Sequence, residues 1–335
     1  MEGVRFMPGK TKSNLLNELF PVLTFIILLA GAALVFQTLN NSFLSFDSVI
    51  NMLKTVSTMA IAALGLMFVI IIGYSDISFY MNCCFSAMFM AWLIAQGWHP
   101  VFAIIAGLAS GFAWGAVSGF AVGYFKLPDI ISTIAVGSIA FGAAYVFSDG
   151  TFIFDNFLTS GITQLNELKI FQIPLPVYIM ALLFIASYIV LDMSKLGRSF
   201  YAIGSNKKAA FFSGVSVNRI IVAAFIVCTM LASVSAMIST AAQGNGNVKI
   251  GLNLLMPSFS SIYIGWSIFR RPCVLGTFLG ALLTTVMSTG FIVVSVPYYY
   301  ADLVIAFVLI IAILLSKVDL SNIAKKFARR GKEVV

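Results

Sequence analysis

Residues 220–242 read IIVAAFIVCTMLASVSAMISTAA, a run of 23 positions with no charged side chain, closed by Arg219 on one side and Gln243 on the other. A bilayer-spanning helix needs about 20 mostly apolar residues, and a spanning barrel strand needs only about 10 with strict alternation. This run is long and does not alternate, so it predicts a spanning helix. Working outward, Pro, Gly and charge delimit nine more such runs, at 19–36, 50–72, 79–96, 100–124, 129–147, 175–191, 252–268, 272–294 and 300–315. Ten spans consume roughly 200 residues of the 335. The composition agrees: 60% hydrophobic and only 10% charged, with a mean hydropathy of +1.02, where a soluble domain carries about 25% charge. A cytosolic enzyme, a disordered chain and a secreted disulfide scaffold are excluded. The predicted fold is all-α, a polytopic transmembrane bundle of about ten spans. Residues 1–18 form a short leading segment, 19–315 the transmembrane domain and 316–335 a basic tail. The first run follows Arg5, Lys10 and Lys12 as a signal peptide would, but its length and the nine runs behind it predict a retained helix.

The net charge of +8 sorts by side. With the N-terminus in the cytoplasm and ten spans threaded, 17 of the 20 Lys and Arg residues fall on cytoplasmic segments, and only Lys54, Lys169 and Lys249 do not. Lys and Arg concentrate on cytoplasmic loops, so both termini are expected there, with the tail after Lys317 along the anionic inner leaflet. Tyr298, Tyr299 and Tyr300 open the last run as an interface anchor.

Bond-making chemistry finds no residues to carry it. Gly9-Lys10-Thr11 ends like a phosphate-binding loop, but Gly3 lies one residue too early for that spacing and no strand precedes it. Cys83, Cys84, Cys228 and Cys273 lie in or beside apolar runs and read as buried thiols, and the single His99 has no companion ligands, so no metal site is expected. Lys54 and Asp302 lie near span ends, where snorkelling is inexpensive. No obvious carboxylate lies deep in a span, which argues against an ion-coupled carrier.

Gly107, Gly111, Gly115, Gly119 and Gly123 recur every four residues along 100–124 and leave one helical face without side chains, the signature of close helix packing. Gly276 and Gly280 repeat the device. Asn82, Gln243, Asn245, Asn247 and Asn253 are neutral amides near spans, suited to a hydroxylated solute without charge. Phe79, Asn82 and Asn253 are the candidate pathway residues.

Between the sixth and seventh runs, residues 196–215 read LGRSFYAIGSNKKAAFFSGV, two short amphipathic pieces around Gly204-Ser205-Asn206, with Asn206 placed to cap a helix over 207–213. This stretch resembles the cytoplasmic signature of ribose-type ATP-binding-cassette importer permeases, L-G-R-x-x-Y-A-x-G-G-N-x-x-A-A-x-x-S-G-I-x-V. Ile72-Gly73-Tyr74-Ser75-Asp76-Ile77-Ser78 resembles their G-G-I-D-L-S element, and Leu275 to Leu282 resembles V-x-G-T-x-x-G-A-L. Phe43 to Leu53 and Ala63-Leu64-Gly65 resemble the elements around the family's second span, so the likeness covers roughly 40–320. Two departures stand out. Phe79-Tyr80-Met81 replaces V-G-S, and the bulky stretch Asn253 to Arg271 replaces a Gly-rich one.

The resemblance implies the permease subunit of an importer in a bacterial cytoplasmic membrane, moving a small neutral solute of the monosaccharide or polyol class. It implies a second permease subunit, a cytoplasmic ATPase that holds ATP and Mg, and a periplasmic or lipid-anchored substrate-binding protein. No cofactor is expected in this chain. The segment 197–214 would dock on the ATPase through Gly197, Arg198, Gly204, Asn206, Lys207, Ala209, Ala210 and Gly214. Gly204 and Asn206 would set the turn, and the helix after it would present Ala209 and Ala210 to a groove. The loop 148–174, mixing Asp149, Asp155 and Glu167 with Phe152, Phe154 and Phe157, would lie outside and help seat the binding protein. The rival expectation is a stand-alone secondary carrier or channel.

Overall fold

A computed structural model describes residues 12–297, together with 300, 303, 304, 306–308 and 310, and side chains from Phe25 onward. The leading segment through residue 11, most of the run at 300–315 and the tail lie outside the described residues. In chain order the helices are α1 (Lys12–Leu39), α2 (Phe46–Ile71), α3 (Ser78–Ala95), α4 (Pro100–Gly123) and α5 (Asp129–Val146). A long connection follows, with two single turns, α6 (Phe157–Ser160) and α7 (Gln164–Glu167), and a hairpin of β1 (Lys169–Ile170) and β2 (Ile173–Pro174). The strands pair antiparallel with Lys169 opposite Pro174, across a two-residue turn in which Phe171 and Gln172 have φ of 49° and 66°. Then come α8 (Leu175–Tyr188), extended by a π-helical turn at Ile189–Met193, the short α9 (Lys195–Ser205) and α10 (Lys207–Phe212), and the long α11 (Val217–Gln243). The described helices end with α12 (Leu255–Phe269) and α13 (Val274–Val293).

Among the described residues, seven helices are long and apolar enough to cross a membrane: α2, α3, α4, α5, α8 with its π-helical turn, α11 and α13. The chain is therefore an all-helical polytopic bundle. The apolar part of α1 within the described side chains, Phe25–Leu39, is shorter, and α12 has 15 residues. The physical reason for α12 is the irregular segment 244–254 before it, which runs alongside α3. Gly246 packs on Ala91 and Met88, and Gly251 packs on the Tyr80 carbonyl and Cys84, more than one helical turn further along. Irregular backbone at this depth is tolerated where protein buries it or where it lines a cavity.

Helix starts follow from capping side chains. The Ser45 hydroxyl accepts from Ser48 N at the start of α2, and His99 Nδ1 accepts from Val101 N before Pro100 opens α4. The lone histidine is thus a cap. The basic connections gather at one end of the bundle. Lys126 donates to Asn218 Oδ1, Lys207 to the Tyr74 hydroxyl, and Arg271 pairs with Asp192 at 3.4 Å. The opposite end holds the long connection, where Asn156 Nδ2 donates to Ala95 O at 2.9 Å and Ile153 bridges to Gly246.

The glycine face of α4 is where α11 lies. A Cβ on Gly111 or Gly115 would overlap Ser233 or Thr229, one on Gly119 would sit 2.8 Å from Val222 Cα, and one on Gly123 3.2 Å from Asn218 O. Gly107 turns instead toward α3, with 3.5 Å of room to Ser86 O. Hydroxyls lace the same seam. Ser86 Oγ meets Ser110 Oγ at 2.9 Å and Ser233 Oγ at 2.7 Å, and Thr229 Oγ1 donates to Gly111 O at 2.7 Å. Interhelical bonds of this type contribute about 0.6 kcal/mol each within a membrane. Close backbone approach therefore carries more of the packing than they do.

Candidate functional site

A cavity of about 360 Å³ opens between α2, α7, α11 and the turn before α12. Helix α2 supplies Asn51, Lys54, Thr55 and Thr58, all reachable from one face because they are three or four residues apart. Ser239 and Gln243 come from α11, Asn166 from α7 and Asn253 from the turn. Its size falls within the range of small-molecule sites, about 300–1,000 Å³. Among the described residues, the lining offers amides and hydroxyls, which recognise a polyol, and no carboxylate. Asn166 Oδ1 is buried there with no hydrogen-bond partner in the protein.

Of the three predicted pathway residues, only Asn253 lines this cavity. Phe79 and Asn82 are fully buried at the start of α3, in a network that the sequence reading missed. Its centre is Asp76, a carboxylate fully buried in the connection before α3, outside the spans themselves. Asp76 Oδ1 accepts from Ser78 N at 2.7 Å and from Ser78 Oγ at 2.6 Å, and Asn82 Nδ2 donates to Ser78 Oγ at 3.1 Å. The neighbouring backbone is tied to α5. Asp129 Oδ2 accepts from Ser75 N at 2.8 Å and Thr133 Oγ1 from Ile77 N at 3.2 Å. The signal was available: an Asp just after a Gly-marked break commonly turns its side chain back to the backbone N–H two residues on, an Asx turn. Asp76→Ala should strip two buried donors of their acceptor and destabilise the fold by about 1–3 kcal/mol. Asp76→Asn, which keeps an acceptor, should cost less. Thermal unfolding of the purified protein measures both, and equal midpoints would reject this role.

At the basic end, α9 and α10 form a platform against the helix tips. The Ser194 hydroxyl accepts from Leu196 N at 3.0 Å and caps α9, and Gly197 lets the helix lie on the Leu191 carbonyl. Asn206 Oδ1 accepts from Ala209 N at 3.0 Å and caps α10. Gly204 is not a turn glycine. It lies within α9 and presses on the Ile71 carbonyl at the end of α2, a contact that leaves no space for a Cβ. Gly214, with φ of 83°, is the residue that takes the left-handed turn. Ala210 is likewise corrected: it is buried at 4% exposure in the protein's own core, while Phe211 and Phe212 stand 65% and 85% exposed. Lys207, Lys208 and Ala209 are exposed, and Arg198 lies on the outer side of α9.

The platform touches several spans at once. Phe200 packs edge-on against Phe68 of α2 with centroids 5.7 Å apart. The Tyr201 hydroxyl donates to Pro272 O at 3.3 Å and Arg271 lies 5.2 Å over its ring, joining α9 to the connection between α12 and α13. Burial first and then the nearby Asp192 charge push the Tyr201 hydroxyl up to about 12, so it remains a donor at neutral pH. Partial desolvation, and then the charge of Lys207, lower Lys126 below the usual lysine value.

Residues 48–313 match the family described as branched-chain amino acid transport system permease components. The chain belongs to this permease family. Among its relatives, the ribose import permease of Bacillus subtilis is 28% identical over 306 residues, covering 91% of this chain and 94% of that protein. The ribose import permease of Escherichia coli K12 is 27% identical over 300 residues, covering 87% and 92%. The D-allose transport system permease of the same strain is 26% identical over 297 residues, covering 88% and 90%. No solved structure matches. The protein is accordingly a permease subunit of an ATP-binding-cassette transporter, a multi-pass membrane protein that transports rather than catalyses, and ATP hydrolysis falls to a partner.

Proposed function

We propose that the permease carries a monosaccharide-type solute inward across a bacterial cytoplasmic membrane, through the cavity beside Asn253, in ten spans with both termini and the basic end in the cytoplasm. The α9–α10 platform carries this reading: it is packed on α2 and on the connection between α12 and α13, yet displays Lys208, Phe211 and Phe212 outward. A partner ATPase, holding ATP and Mg, seats on those side chains, and its closure moves the helix tips as a lever moves on a hinge. Two permease subunits and a substrate-binding protein complete the importer, the binding protein resting on the long connection at 148–174. The ribose and allose transport named for the relatives supports the sugar class. Uptake of labelled D-ribose or a related solute by the reconstituted assembly should require ATP inside the liposome or its equivalent face. Uptake that proceeds at full rate without the ATPase subunit would favour the stand-alone carrier instead.

The sidedness has its own test. Cysteines at Asp155 and Glu167, both exposed on the long connection, should react with a membrane-impermeant maleimide added to intact spheroplasts. Labelling only after the membrane is opened would invert the topology.

A further inference from the structure

Among the described residues, Lys54 is the one cation lining the cavity. It is half-buried and lies eight residues into α2, about 12 Å from that helix's start at 1.5 Å per residue. Its neighbours on the same face, Asn51, Thr55 and Thr58, line the cavity with it. Lys54 lies toward the outer end of α2, as the sequence expectation had it, and its side chain lines the cavity there. Among the described residues Lys54 forms no ion pair; the pair found there joins Arg271 and Asp192 at the far end. A lysine at the centre of a span costs about 2.5–3.5 kcal/mol, and ionisable residues within spans commonly face a water-filled or solute path.

We infer that the permease's solute is a monosaccharide acid, with Lys54 receiving its single carboxylate while the surrounding amides and hydroxyls receive its hydroxyl groups. The inference rests on the importer reading above and narrows its substrate class, replacing the neutral solute expected from the amides alone. Charge arithmetic selects a monoanion. One ammonium balances one carboxylate, whereas a phosphate monoester carries a charge of about −1.5 to −2 and would bring uncompensated charge into a lining that offers no second cation. The amides orient without adding charge: Gln243 and Asn253 line the cavity, and each amide can donate to and accept from the solute's hydroxyl groups.

The test uses the complete importer in proteoliposomes, with labelled D-galacturonate, D-gluconate, D-ribose and D-glucose 6-phosphate as probes. One or both acids should be taken up in preference to D-ribose. Lys54→Gln should lower the ratio of acid to ribose uptake at least tenfold, and Lys54→Arg should largely preserve it. Size-exclusion profiles of both variants control for folding. Ribose uptake with neither acid transported, an unchanged ratio in Lys54→Gln, or preference for the phosphate ester overturns the inference and leaves the importer reading standing. Uptake that ignores ATP overturns the importer reading, while the acid-to-ribose ratio still reports on Lys54.

Discussion

Leucine at Gly115 should leave little folded permease. A Cβ at this position would meet not only the Thr229 hydroxyl, which can rotate away, but also Ile226 Cα at 2.7 Å and Phe225 O at 2.8 Å, which are backbone. Backbone yields only if α4 and α11 part. Overpacking a well-filled core costs about 1–3 kcal/mol where side chains can adjust, and here the obstacle is main chain. Separation would also break the Thr229 bond to Gly111 O, which joins the two helices. Gly142 is the control, because nothing lies within 4 Å of a Cβ there. Fluorescence-detected size exclusion should show Gly142→Leu eluting as the parent does and Gly115→Leu largely aggregated. Equal profiles would mean that the glycine seam does not hold the bundle together.

Alanine at both Phe211 and Phe212 should leave the permease folded and cut ATP-driven uptake by more than tenfold. The two rings pack edge to face at 5.7 Å, 65% and 85% exposed, on a short helix whose start is fixed by Asn206. Large exposed aromatics on a rigid element are what a partner's pocket takes up, and truncating such an anchor commonly costs 2 kcal/mol or more, about 30-fold in affinity. Their removal takes nothing from the permease's own core, whereas Ala210→Glu would place a charge inside it. The two variants should therefore separate: normal elution and lost coupling for the double alanine, lost folding for Ala210→Glu. Undiminished coupled uptake by the double variant would remove the docking role of α10.

The difference between Ala209–Ala210 and Phe211–Phe212 shows where sequence reading stopped. The pattern around Asn206 located the helix and its cap, since capping needs only residues within four positions. Which face of that helix met the permease depended on the tips of other spans. Gly204 was legible as a glycine needed for space or for a turn, but only the Ile71 carbonyl decided between them. Asn82 and Asn253 looked equivalent as neutral amides near spans. One is absorbed by Ser78 and the other opens onto the cavity.

The sequence by itself determined that this chain is a helical membrane bundle, where most spans begin and end, and which connections share an end. Those properties follow from run length, from the cost of charge in a bilayer and from local capping, all of which are written along the chain. Tertiary structure alone decided that four of the five α4 glycines serve α11, that Asp76 is buried and that Lys54 faces the cavity lined by amides and hydroxyls. A helix that is apolar on every side carries no periodic signal of which face points inward. Each residue turns the face by 100°, so only the neighbouring helices select the side chain that meets the solute.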